Sequence, residues 1–102
     1  MDGLPADTTT PDGEIVTLTP DDWLHVRFRH PEVGVDPALL LATVSDPGEI
    51  HQDPRGGKHA LRRLDRGHFL VVIYELTRSD RGLIRTAFII NEKRKRRRYK
   101  TP

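Results

Sequence analysis

Apolar residues follow two different periods along this chain, helical in its first half and alternating in its second. Residues 1–14 bury almost nothing and read as a mobile acidic leader. The first ordered signal is Thr19-Pro20-Asp21-Asp22. Thr19 can cap a helix, Pro20 suits its first turn, and the aspartates favour the positive end of the helix dipole. Trp23, Leu24, Val26 and Phe28 fill a broad apolar arc, with Asp22, His25 and Arg29 on the wet side. His30 precedes Pro31, so this helix should end near Arg29. Asp36-Pro37 opens a second, very apolar helix through Ala38–Val44, stopped by Asp46-Pro47-Gly48.

From Glu49 the period becomes two. Strands are expected at Glu49–Gln52, His59–Leu64, His68–Leu76 and Leu83–Ile90, separated by turns at 53–57, 65–67 and 79–82. The last two strands are apolar on both faces and should lie centrally, with the helices covering one face. The expected fold is α+β, with two N-terminal helices packed on a four-stranded antiparallel β-meander. It would occupy residues 15–92 as a single domain and be followed by a basic tail, 93–102.

At 102 residues the chain has room for one modest core. No apolar run approaches the length of a membrane span, and the leader lacks the basic and apolar regions of a secretory signal. Cysteine is absent, which removes disulfides and thiolate-bound metals. A cytoplasmic setting, without membrane contact, is the simplest expectation.

Charge changes the picture more than composition does. Residues 1–53 carry two arginines against eleven acids, a charge of −9, whereas residues 54–102 carry fifteen Lys and Arg against four acids, +11. So strong a positive field in one half points first to phosphates, and hence to a nucleic acid. Seven of the eight positions from Lys93 to Lys100 are basic, the exception being Tyr99. That run reads as a phosphate anchor indifferent to sequence.

Several chemistries are excluded. No two histidines have a compact ligand spacing except His25 and His30, which project about 140° apart on a helix. Ser45 and Ser79 sit in turn contexts without a nucleophile elbow, and Gly56-Gly57 is no phosphate loop. Metal-free acid–base chemistry on RNA remains, because RNA supplies its own 2′-hydroxyl nucleophile and needs only a base, an acid and cations. His25 and Arg29 lie one helical turn apart. Arg85 and Thr86 interrupt an apolar strand, and His59, Arg62 and Arg63 share another. An arginine within a central strand is costly unless paired, and Glu75 on the neighbouring strand is a structural alternative for Arg85.

The segments Asp22-Trp23-Leu24-His25-Val26, His30-Pro31-Glu32-Val33 and Asp46-Pro47-Gly48-Glu49-Ile50 resemble the opening of small toxin-like nuclease domains. His68–Ile73 and Leu83-Ile84-Arg85-Thr86-Ala87-Phe88 look like their paired central strands. The family resembled is the barnase/EndoU/colicin/RelE-like superfamily of metal-independent ribonucleases. The resemblance spans roughly residues 20–95 and implies helices followed by a four-stranded antiparallel sheet. It also implies catalytic roles at His25, His30, Arg85 and Thr86, and phosphate contacts from Lys58, Arg62 and Arg63.

The expectation is therefore an endoribonuclease that needs no cofactor and cleaves by 2′-hydroxyl attack. Arg29, Lys58, Arg62, Arg63, Lys93, Arg94, Lys95, Arg96, Arg97, Arg98, Tyr99 and Lys100 would hold the RNA. An acidic antitoxin or immunity protein would be its protein partner. The alternative is a non-catalytic nucleic-acid-binding or toxin–antitoxin partner module, whose affinity lies almost wholly in the tail.

Overall fold

The computed structural model describes residues 3–100. Their order is β1 (Ala6–Thr9), β2 (Ile15–Leu18), α1 (Pro20–Arg29), a 3-10 turn (Pro31–Val33), α2 (Ala38–Ser45), β3 (Glu49–Gln52), β4 (Lys58–Asp65), β5 (His68–Leu76), β6 (Arg81–Asn91) and α3 (Glu92–Arg98).

The predicted architecture needs correction. The four expected strands form an antiparallel meander, but they are part of a six-stranded sheet ordered β1-β2-β6-β5-β4-β3, and the described residues hold three helices. The sheet is mixed, because β2 runs parallel to the start of β6 with Val16 opposite Gly82.

The additions come from both ends of the chain. Much of the expected leader is the first hairpin, with Ala6 opposite Leu18 and Thr9 opposite Ile15. Its threonines look like linker residues in sequence, yet they are good strand formers once their hydroxyls find partners. Thr8 donates to the Leu41 carbonyl at 3.0 Å, and buried Thr10 donates to Glu14 Oε1 at 2.6 Å. The pairing brings Val16 and Leu18 to complete burial. Met1 and Asp2 lie outside the described residues, as do Thr101 and Pro102.

α1 begins as its sequence predicts, with Thr19 Oγ1 accepting from the Asp22 amide at 3.1 Å. Its buried stripe is narrower than the apolar arc, since Trp23 and Val26 are buried while Leu24 and Phe28 stay exposed. With Val33, Leu40 and Val44, these two side chains cover a sheet face formed by Ala60, Leu70, Val72, Tyr74, Ile84 and Ala87.

The opposite face carries a second cluster, Leu61, Phe69, Val71 and Ile90, closed by Tyr99. The basic run is thus folded onto the sheet rather than trailing from it. Asn91 caps α3 by accepting from the Arg94 amide at 2.8 Å, and the Glu92 amide donates to the Gly67 carbonyl at 2.9 Å. A seven-residue helix with six basic residues cannot hold itself together in water. Two of its cations instead find partners on the sheet. Lys95 Nζ sits 2.7 Å from Glu49 Oε2, and Arg98 lies over the Phe88 ring.

Candidate nucleic-acid interface on the second sheet face

A hairpin centred on residue 55 builds a large cleft beside α3. In the β3–β4 register His51 lies opposite His59, so both imidazoles project from the face that α3 covers. Tyr99 lies against both, with its ring centroid 5.1 Å from that of His51 and 5.5 Å from that of His59. Asp53 organises the loop. Its Oδ1 accepts from the Arg55 and Gly57 amides, each at 2.9 Å, and its Oδ2 bonds His59 Nε2, also at 2.9 Å. Gly57 makes this approach possible, because a Cβ there would stand 2.6 Å from Asp53 Oδ2.

The bonds of His59 define its tautomer. The hydrogen bond from His59, helped by the loop amides, outweighs the effect of burial and holds the Asp53 carboxyl below the usual range. An ionised carboxylate only accepts, so Nε2 carries a proton. In the neutral ring Nδ1 then accepts from the Tyr99 hydroxyl, 2.8 Å away. Burial pushes the Tyr99 phenol up, so it stays protonated at neutral pH.

His51 is held in a parallel way. Its Nε2 is 3.0 Å from Glu49 Oε1. Burial acts to raise Glu49, but hydrogen bonds from Lys95 and His51 outweigh it and hold the carboxyl low. Nε2 therefore donates, which makes Nδ1 the nitrogen that can accept in the neutral ring. The cleft, about 810 Å³, is lined by His51, Asp53, His59 and Tyr99 together with Arg55, Arg97, Arg98 and Lys100.

A smaller cleft of about 260 Å³ lies across α3 and is lined by His30, Glu32, Thr86, Phe88, Arg94 and Arg98. His30 stacks at an angle on Phe88, with ring centroids 5.6 Å apart, and its Nδ1 is 3.5 Å from Glu32. Arg98 lines both clefts and joins them.

The sequence-predicted catalytic residues divide between two places. His30 and Thr86 share the smaller cleft. His25 and Arg29 are exposed on α1. Arg85 is not a buried strand arginine. Pairing jumps from Ile73–Thr86 to Tyr74–Ile84, and this bulge leaves Arg85 outside the ladder. Its guanidinium lies 3.7 Å from Asp22 on α1 rather than at Glu75.

The sheet cations divide as well. Lys58 and Arg62 pair with Tyr74 and Leu70, which places them on the helix-covered face. Lys58 Nζ reaches Gln52 at 3.3 Å, and Arg62 Nε is buried without a hydrogen-bond partner among the described residues. Arg63 projects on the α3 face, where it covers Phe69 at 4.5 Å and lies 3.6 Å from Glu92. Within the basic run, Lys93, Arg94, Arg96, Arg97, Arg98 and Lys100 are exposed, while Tyr99 is buried and Lys95 is held by Glu49.

Glu49, His51, Asp53 and Arg55 had not been assigned roles from sequence. The signal for the histidines was present, since each stands four residues from the centre of an expected turn. The chain matches no protein-family model, no curated protein and no solved structure.

Proposed function

We propose that this domain is a metal-independent endoribonuclease working on the sheet face beside α3. The observation that carries the reading is the cross-strand pair His51 and His59, each held by a carboxylate, in a cleft rimmed by Arg55, Arg97 and Arg98. Acid–base cleavage of RNA asks for these components. His51 Nδ1 takes the 2′-hydroxyl proton, and the 2′-oxygen attacks phosphorus. The bond to the 5′-oxygen breaks as the proton taken by His51 returns to that oxygen through solvent in the open cleft, while Tyr99, its hydroxyl donating to His59 Nδ1, packs against the His51 ring. Arg97 and Arg98 stabilise the charge on the pentavalent phosphorus. The products are a 2′,3′-cyclic phosphate and a 5′-hydroxyl.

His51→Asn should lower cleavage of a fluorescent RNA oligonucleotide about 100-fold or more, with EDTA present throughout. His25→Ala should cleave like wild type. An inert wild-type protein, or full activity in His51→Asn, refutes the proposal.

A second reading is a non-catalytic RNA-binding or toxin–antitoxin partner module. The observation that favours it is that both ring nitrogens of His59 are bonded and the residue is only 6% exposed, as in a purely structural histidine. This reading expects salt-sensitive RNA binding without turnover. On either reading, an acidic antitoxin or immunity protein is the partner suited to the basic face.

A further inference from the structure

We infer that the smaller cleft is a nucleobase subsite, so that the RNA must be unpaired where it passes α3; this rests on RNA being the ligand of the larger cleft. Three planar groups meet there. The Phe88 ring forms one wall, the His30 imidazole packs against it, and the Arg98 guanidinium stands 5.1 Å from its centroid. Aromatic rings, imidazole and guanidinium are the surfaces on which unstacked bases lie in single-stranded complexes.

Polar groups at the same cleft suit a base edge. Thr86 offers a hydroxyl, which can donate or accept, and Glu32 at the rim offers carboxylate acceptors. Arg94 and Arg98 supply charge for the flanking phosphates. A duplex keeps its bases stacked inside and presents only backbone and groove edges to such a site.

Continuity decides the geometry of the strand. Because Arg98 lines both clefts, a phosphate at the larger one and a base at the smaller one belong to neighbouring parts of one strand crossing α3. Phe88 therefore acts in binding, apart from the acid–base group at His51.

The test uses a fluorescein-labelled 2′-O-methyl oligonucleotide, which cannot undergo 2′-hydroxyl attack, single-stranded or annealed to its complement. Phe88→Leu should weaken single-strand binding about fivefold to a hundredfold, the value of one stacked base. It should leave the weaker duplex binding near wild type and lower the melting temperature only modestly, through the lost ring under Arg98 and against the second cluster. Phe88→Trp should restore single-strand affinity. Single-strand binding indifferent to Phe88→Leu, or duplex binding as tight as single-strand binding, overturns the subsite. The outcomes separate the two claims. Cleavage of unmodified RNA with Phe88-independent binding sinks only the subsite, whereas Phe88-dependent binding without cleavage sinks only the nuclease.

Discussion

Removing one oxygen atom tests whether the basic segment is part of the fold. Tyr99→Phe keeps the ring in its cluster with Leu61, Phe69, Val71 and Ile90 but deletes the hydroxyl that bonds His59 Nδ1 at 2.8 Å. His59 is only 6% exposed, so water has little access to its orphaned nitrogen. A buried polar group left without its partner costs about 1–3 kcal/mol. For a domain of this size each kcal/mol corresponds to about 4–8 °C, so the melting temperature should fall by at least about 4 °C. The measurement is thermal unfolding followed by circular dichroism at neutral pH. A cycle with His59→Phe should return a coupling of about 0.5–3 kcal/mol between the two positions. An unchanged melting temperature in Tyr99→Phe, or strict additivity in the cycle, would refute the account of Tyr99 as the pin of α3.

Truncation after Glu92 should unfold or strongly destabilise the domain, because it removes Tyr99 and the Lys95–Glu49 contact; a cooperative melt at the wild-type temperature would contradict this. Replacing exposed Arg96 and Arg97 by Gln should instead preserve the melt while lowering the salt dependence of RNA binding, read from affinities across a salt titration. Gly82→Ala should cost several degrees in a thermal melt, since a Cβ there runs into the Glu75 carbonyl oxygen across the ladder. Asp53 and Glu49 have lowered carboxyl pKa values in the folded state, so their stabilisation is present above their ordinary values of 3.8 and 4.5 and disappears as pH falls through the lowered ones. The double variant Asp53→Asn, Glu49→Gln should therefore show a flatter loss of melting temperature below about pH 4 than wild type does.

The elements with strong local signals were legible in the sequence. Capping at Thr19, the stop before Pro31 and the alternation from Glu49 onward placed α1, α2 and the four-stranded meander to within a few residues, because those cues depend on neighbours in the chain. β1 and β2 were missed because their threonines and acids, set among Pro and Gly, read as linker, and their stability comes from partners elsewhere in the chain. The arc on α1 was read too wide for a related reason. Periodicity shows which residues share a face of the helix, but it does not show how much of that face another layer covers, and Phe28 stayed 85% exposed.

The site divides in the same way. The turn at residues 53–57 was expected from sequence, but the pairing of His51 with His59 that it sets up was not read from it. Sequence alone could not show that Arg85 sits at a bulge, because pairing register is a property of two strands rather than one. Nor could it show that seven basic residues in eight would dock on the sheet. Local physics favours a solvated, self-repelling tail, and only a carboxylate, aromatic rings and a buried tyrosine brought together by the tertiary fold make a helix of Glu92–Arg98.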